Sequence, residues 1–312
     1  LGNAIKFTSS SEDKLGIIFI RIHRDENPSS DQNIPLGNLE YKKIAYVKLG
    51  DDSGDHFVNM LKNYTKVEVI SDSNLDGLLT KLKSYNQVII GFHKSNKHPW
   101  KSYRFKNKEL VWLQEIARNK KVILDVFASP YSLLQVKTFV NIEAIIVSYQ
   151  NSKLAQELSA QMIFGAFKAQ GKLPVSIGEE FKVGHGLQSY SLSRLEYTIP
   201  EEAQVSSKKL ALIDKLADTI LEEKMAPGFQ VLVARKGKVI FQKSYGYHTA
   251  NEVRKVRNSD MYDLASLTKI LASLPLIMKA EEEQKIIRQQ TTVSNKIFKK
   301  GRSEKLPFKS KS

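Results

Sequence analysis

Two side chains in this 312-residue chain have the types and spacing for covalent catalysis: Ser266 and Lys269, in the run Tyr262-Asp263-Leu264-Ala265-Ser266-Leu267-Thr268-Lys269. On a helix, positions i and i+3 share a face, so Lys269 can stand beside Ser266 Oγ and take its proton while the oxygen attacks an acyl carbon. At the first turn of that helix the free N–H groups and the positive dipole end favour developing negative charge, so Ser266 N–H would form half of an oxyanion hole. The spacing alone discriminates little, because Ser11…Lys14 and Ser206…Lys209 share it. The other reading of any such tetrad is a serine N-cap with a solvated lysine.

Four further polar features invite chemistry. Asp51-Asp52-Ser53-Gly54-Asp55 has cation-binding residue types but lacks the later acidic ligand of a calcium loop, so a turn with a helix cap is expected and no metal ligand is assigned. His93-Lys94-Ser95-Asn96, with His98 and Trp100, could touch a sugar or a neighbouring domain; a polar loop is the reading preferred. His185, between Gly184 and Gly186, reads as turn chemistry, and Asp125 as the end of a buried strand rather than a base. No cofactor is expected.

The elements that must position these residues fall into two patterns. Up to about residue 170, β-branched runs alternate with helical ones, which predicts an α/β domain: a three-layer α/β/α sandwich on a mostly parallel sheet. Strands are expected at Gly16–Ile22, Ile44–Leu49, Lys66–Ser71, Gln87–Phe92, Lys121–Phe127 and Glu143–Ser148. Helices are expected near Asp55–Tyr64, Leu75–Tyr85, Lys106–Asn119, Tyr131–Val140 and Ser152–Ala169, with Ser53 and Asn74 as caps. After Gly171-Lys172-Leu173-Pro174 the pattern breaks, and a linker is placed at about Gly186–Gln204. A long amphipathic helix over Val205–Lys224 follows, then a hairpin of Phe229–Arg235 and Lys238–Tyr245 around Lys236-Gly237, then an apolar helix from Ser266 to Lys279. The resulting map is 1–187 for the α/β domain, 188–204 for the linker, 205–285 for a partial α+β region and 286–312 for a basic, disordered tail.

Charge excludes more than it suggests. Of the formal net charge of +15, the last 28 residues carry +8, nine Lys or Arg against Glu304 alone. The rest of the chain has a moderate excess without basic patches interleaved with stacking aromatics, so nucleic acid is not an expected partner. There are no cysteines, which rules out disulfides and thiolate chemistry. No apolar run reaches the roughly 18–20 residues needed to span a bilayer. The opening Leu1-Gly2-Asn3 reads as a piece of something longer.

The order helix, hairpin, then Ser266-Leu267-Thr268-Lys269 opening an apolar helix resembles serine β-lactamases of class C and related penicillin-recognising esterases and peptidases. That resemblance implies Ser266 as nucleophile and Lys269 as its base. It also implies a downstream Tyr-x-Asn and Lys-Thr-Gly, neither of which follows Ser266, so the region is expected to be a truncated domain. Tyr149-Gln150-Asn151 spells the first pattern but lies upstream. The first 187 residues resemble the C-terminal domain of family 3 glycoside hydrolases, in Arg24-Asp25-Glu26-Asn27, Ile34-Pro35-Leu36, Phe127-Ala128-Ser129-Pro130-Tyr131, Tyr149-Gln150-Asn151 and Gly171-Lys172-Leu173-Pro174-Val175-Ser176.

Together the two resemblances imply an envelope β-N-acetylglucosaminidase of Bacteroidetes type, periplasmic or otherwise extracytoplasmic. They also imply an N-terminal (β/α)8 barrel as missing partner, the barrel holding the catalytic carboxylate and Asp–His pair. The substrate would be a glycan or an acyl small molecule. The competing expectation is a catalytically inert scaffolding module, which the missing motifs support.

Overall fold

The computed structural model describes residues 17–21, 34–97, 102–287 and 309–310. Six strands form one sheet: β1 (Ile18–Arg21), β2 (Ile44–Gly50), β3 (Val67–Val69), β4 (Gln87–His93), β5 (Lys121–Phe127) and β6 (Ile142–Val147), in the order β1-β6-β5-β4-β2-β3. All pairings are parallel except β1 with β6, which is antiparallel. These are the six runs read from the sequence, and the expected mostly parallel α/β architecture is what they build. The central strands are mostly apolar, and every residue of β4 is buried, as a sheet covered on both faces requires.

The covering helices are α1 (Asp55–Leu61), α2 (Leu75–Leu82), α3 (Asn107–Asn119) and α4 (Lys153–Ile163). One face of the sheet packs on α2 and α3 through Leu78, Leu82, Leu113 and Ile116; the other packs on α1 and α4 through Phe57, Leu61, Ala160 and Ile163. Local chemistry sets their ends. Asn74 Oδ1 accepts from Gly77 N–H at 2.8 Å, a cap worth about 1 kcal/mol. Ser53 is not itself the N-cap of α1, which is Gly54, but its Oγ accepts from Asp55 N–H at 3.1 Å. Helix α4 stops at Ile163 rather than running to Ala169, because Gly165 turns left-handed at φ 72° where a Cβ would lie 2.6 Å from Pro35 Cβ.

One expected helix is absent. Tyr131–Val140 holds only a 3₁₀ stretch at Pro130–Gln135, and the buried Leu133, Val136 and Phe139 are carried to the core by an irregular crossover. Val136, Thr138 and Val140 are stiff at χ1 and disfavour a regular helix there.

Residues 188–204 contain a two-residue strand, β7 (Glu196–Tyr197), and a 3₁₀ turn at Pro200–Ala203, neither visible as periodicity. The expected single helix over Val205–Lys224 is two, α5 (Ser207–Leu210) and α6 (Leu212–Glu222); at the junction Asp214 N–H bonds to Ala211 O at 3.2 Å, three residues back rather than four. The hairpin forms as read, β8 (Gly228–Arg235) with β9 (Lys238–Gly246), turning on Lys236 at φ 53° and Gly237 at φ 75°. Strand β7 adds to β9 in parallel.

Compactness divides the chain at residue 259, and Asp260–Ser312 forms a second unit. Its helical run is not one α-helix. A 3₁₀ turn at Ala265–Leu267 leads into a π-turn at Lys269–Ser273 and then α7 (Leu274–Glu282). Pro275 has no N–H to return to Leu271 O, so the regular α register cannot cross it. Beyond, β10 (Ile286–Ile287) pairs with β11 (Lys309–Ser310); the rest of the expected basic tail, 288–308 and 311–312, lies outside the described residues.

Candidate functional site

Ser266 and Lys269 meet. Lys269 Nζ donates to Ser266 Oγ at 3.2 Å, the i,i+3 contact that a helical first turn provides. The turn is set by the backbone before it: Ala265 is held at φ 43°, strained for a non-glycine residue, and its N–H bonds to Asp263 Oδ1 at 3.0 Å. Ser266 thus sits in the first turn of the helical run, directly after the left-handed Ala265. Every residue from Met261 to Lys279 is exposed, with Met261 at 96% and Leu276 at 68%. Both members of the pair are open to solvent among the described residues.

A second polar cluster joins the two polar loops at Asp51–Asp55 and His93–Asn96. The carboxyl ends of β2 and β4 are in register, Gly50 opposite His93, so the Asp51–Asp55 turn and His93-Lys94 are neighbours. His93 is fully buried. Its Nδ1 lies 2.7 Å from Asn151 Oδ1 and its Nε2 2.8 Å from Tyr46 Oη. The Asn151 amide is oriented by donating to Asp52 Oδ2 and Ser53 O, both at 2.9 Å, while its Oδ1 also accepts from Gln156 Nε2 at 2.8 Å. Hence the imidazole proton is on Nδ1, donated to Asn151, and Nε2 accepts from the Tyr46 hydroxyl.

Burial drives the His93 pKa down to about 4 against the opposing Asn151 bond, and burial also raises that of Tyr46. At the rim, Lys94 Nζ pairs with Asp51 Oδ2 at 2.9 Å, and this bond lowers the Asp51 carboxyl. For Asp52, burial raises the pKa, but the bonds from Asn151 and Ser53 N–H outweigh it and the net shift is downward. No donor or acceptor on the His93 ring is left over, so the cluster is a satisfied polar seam holding the β2, β4 and β6 ends together. Tyr46 and Asn151 are not legible in the sequence as partners of His93, nor Gln156 as the partner of Asn151, since their spacing carries no period.

Asp125 is buried on the same sheet face. It accepts from Ser148 Oγ at 2.8 Å and from Ser159 Oγ, and burial pushes its pKa up to about 7 despite both bonds. It sits within β5, not at its end as expected. His185 is turn chemistry as read: its N–H bonds to Lys182 O at 2.9 Å and its carbonyl accepts from Leu173 N–H at 2.7 Å. His98 and Trp100 lie outside the described residues.

Among known families, the Beta-lactamase model matches residues 213–292, about a quarter of the chain, and Ser266 and Lys269 lie inside the match. A curated relative, Protein flp of Staphylococcus aureus, is 33% identical over 70 residues, covering 22% of this chain and 14% of that protein; a second Protein flp from the same species is 31% identical over the same length. The matched part therefore spans 14% of the length of these relatives.

Similar solved structures include a fungal multi-domain GH3 β-N-acetylglucosaminidase (TM-score 0.41, 18% identity, 54% of this chain and 18% of that one). A β-glucosidase from Listeria innocua in complex with isofagomine gives TM-score 0.41 at 15% identity, over 52% of this chain and 25% of that one. A GH3 exo-β-xylosidase gives TM-score 0.42 at 12% identity, over 61% and 33%. All three scores are below 0.5, so the α/β assignment rests on the sheet and helices themselves. No helix among the described residues is long and apolar enough to cross a membrane.

Proposed function

We propose that residues 205–285 open a serine acyl-transfer module of the β-lactamase-like kind, carried behind an α/β domain of the family 3 glycoside hydrolase C-terminal type. The parent is read as an extracytoplasmic cell-envelope hydrolase acting on peptidoglycan-type glycans or acyl substrates, a β-N-acetylglucosaminidase whose barrel is its partner. The observation that carries the reading is the 3.2 Å contact of Lys269 Nζ with Ser266 Oγ, inside the segment that matches the Beta-lactamase model. In the reaction Ser266 Oγ bonds to the acyl carbon, Lys269 takes the hydroxyl proton and returns it to the leaving group, and the oxyanion is held by N–H donors.

For the chain by itself, a scaffolding role is favoured by the exposure of the whole Met261–Lys279 stretch. A site with one oxyanion donor is short by roughly 100- to 1000-fold in rate, before loss of any relay residue. Incubation with a fluorescent penicillin and intact-mass analysis is expected to show no stable adduct. An adduct lost in Ser266→Ala would overturn the scaffolding reading. One that persists in Ser266→Ala would overturn Ser266 as the nucleophile.

A further inference from the structure

Strand β7 is only two residues long, yet both of its edges are paired. On one side Glu196 N–H bonds to Gly237 O at 3.1 Å and Thr198 N–H to Val239 O at 3.0 Å, which adds the strand to β9 of the hairpin. On the other side the residue between them, Tyr197, donates its N–H to Gln161 Oε1 at 2.7 Å and accepts from Gln161 Nε2 at 3.1 Å. Successive residues of a strand direct their backbone groups to opposite sides, so the Gln161 amide occupies the place of a neighbouring strand. Gln161 is 1% exposed and lies on α4, the helix that packs on the parallel sheet.

The segment leading to β7 is fixed along its length in the same way. Ser189 Oγ accepts from Ala169 N–H at 2.8 Å, Leu192 N–H bonds to Gly165 O at 2.7 Å, and Arg194 Nη1 donates to Leu36 O and Phe164 O, both at 2.8 Å. Tyr64 donates to Leu195 O at 2.7 Å and stacks on Phe164 with ring centroids 5.1 Å apart, its edge meeting Tyr197 at 5.7 Å. These contacts come from the turn after α1 (Tyr64), the segment before β2 (Leu36) and the residues that follow α4 (Phe164, Gly165 and Ala169).

We infer that residues 189–198 are a strap by which the α/β domain holds the β8–β9 hairpin as one mechanical body, with the Gln161 amide as the clamp. The β-lactamase-like segment does not begin on a free tether: the orientation of its hairpin is set by helix α4. This does not depend on Ser266 being a nucleophile. It makes Gln161 a positioning residue, because the hairpin's central strand has β7 as its neighbour on one side and β7 has Gln161.

Hydrogen–deuterium exchange of the full chain, read by peptide mass spectrometry, tests the inference. Gln161→Leu keeps the side chain's bulk and leaves Tyr197 N–H and C=O unpaired. It is expected to speed exchange at 196–198 and across the 228–246 ladder at least tenfold, with β4 and β5 unchanged. Thr198→Pro removes the donor to Val239 O without touching α4, and is expected to loosen the same ladder, β8 included. Unchanged exchange across the ladder in either variant overturns the inference. So does a Gln161→Leu effect of equal size in β4 and β5, which would be general destabilisation. Should Gln161→Leu fail to fold, Thr198→Pro decides the matter alone.

Discussion

Replacing Asp125 by Asn removes one proton-binding group from the core with little change of shape. Its carboxyl is wholly buried, and the hydroxyls of Ser148 and Ser159 are its side-chain partners. In the unfolded chain an aspartate loses its proton near pH 3.9; in the fold, burial raises this to about 7. Between those values the native state binds more protons, so stability falls as pH rises and the loss is complete above the folded pKa. About three pH units at 1.36 kcal/mol each make this about 4 kcal/mol. Asparagine has no proton to lose, and its amide can accept from one serine and donate to the other.

Urea denaturation of both proteins at half-unit steps from pH 4 to 8, followed by circular dichroism, measures the difference directly. All other titrating groups are common to both and cancel, including His93 and Tyr46 on the same face. The stability of Asp125→Asn relative to wild type is expected to rise by about 4 kcal/mol from pH 4 to 7.5 and then level off. A difference that stays within about 1 kcal/mol across that range, or that falls with pH, would refute the buried, protonated carboxyl.

His93 works in the opposite sense: the fold keeps it neutral down to about pH 4 while the unfolded chain protonates near 6.5, so this residue contributes a loss of about 3 kcal/mol on acidification through that window, against the gain from Asp125. The stability of His93→Gln relative to wild type should therefore rise by about that amount from pH 6.5 to 4 in the same titration; a difference that stays flat would refute the buried neutral imidazole. Asn74→Ala is expected to cost about 1 kcal/mol by removing the cap on Gly77 N–H, read as a shift of the urea midpoint at constant m-value. Phe57→Ala, fully buried between sheet and helices, should cost about 3–5 kcal/mol in the same assay, and a loss under 1 kcal/mol would contradict the packing. The chain is expected not to hydrolyse aryl N-acetylglucosaminides; turnover that survives repurification and exceeds a buffer blank would overturn that.

What the sequence determined by itself is what short-range chemistry decides. Apolar β-branched runs alternating with amphipathic ones are enough to locate six strands and most of the helices, since a strand such as Val88–Phe92 has no polar face to expose. Lys236-Gly237 announces its own hairpin, and Ser266 with Lys269 needs only one helical turn to bring the pair together. What only the tertiary structure decided are contacts between residues far apart in the chain. Tyr46, His93 and Asn151 become one hydrogen-bonded row because β2 and β4 are neighbours in the sheet and β6 delivers its end beside them. Asp125 takes its proton affinity from burial between the sheet and its covering helices, against the bonds from Ser148 and Ser159, and no local pattern assigns that burial to it. Residues 189–198 read as an irregular polar stretch because a segment held mainly by side chains of distant elements has neither a period of 2 nor of 3.6. Its order is supplied by Gln161, Tyr64 and backbone carbonyls of the sandwich, and these exist as a surface only once the sheet has folded.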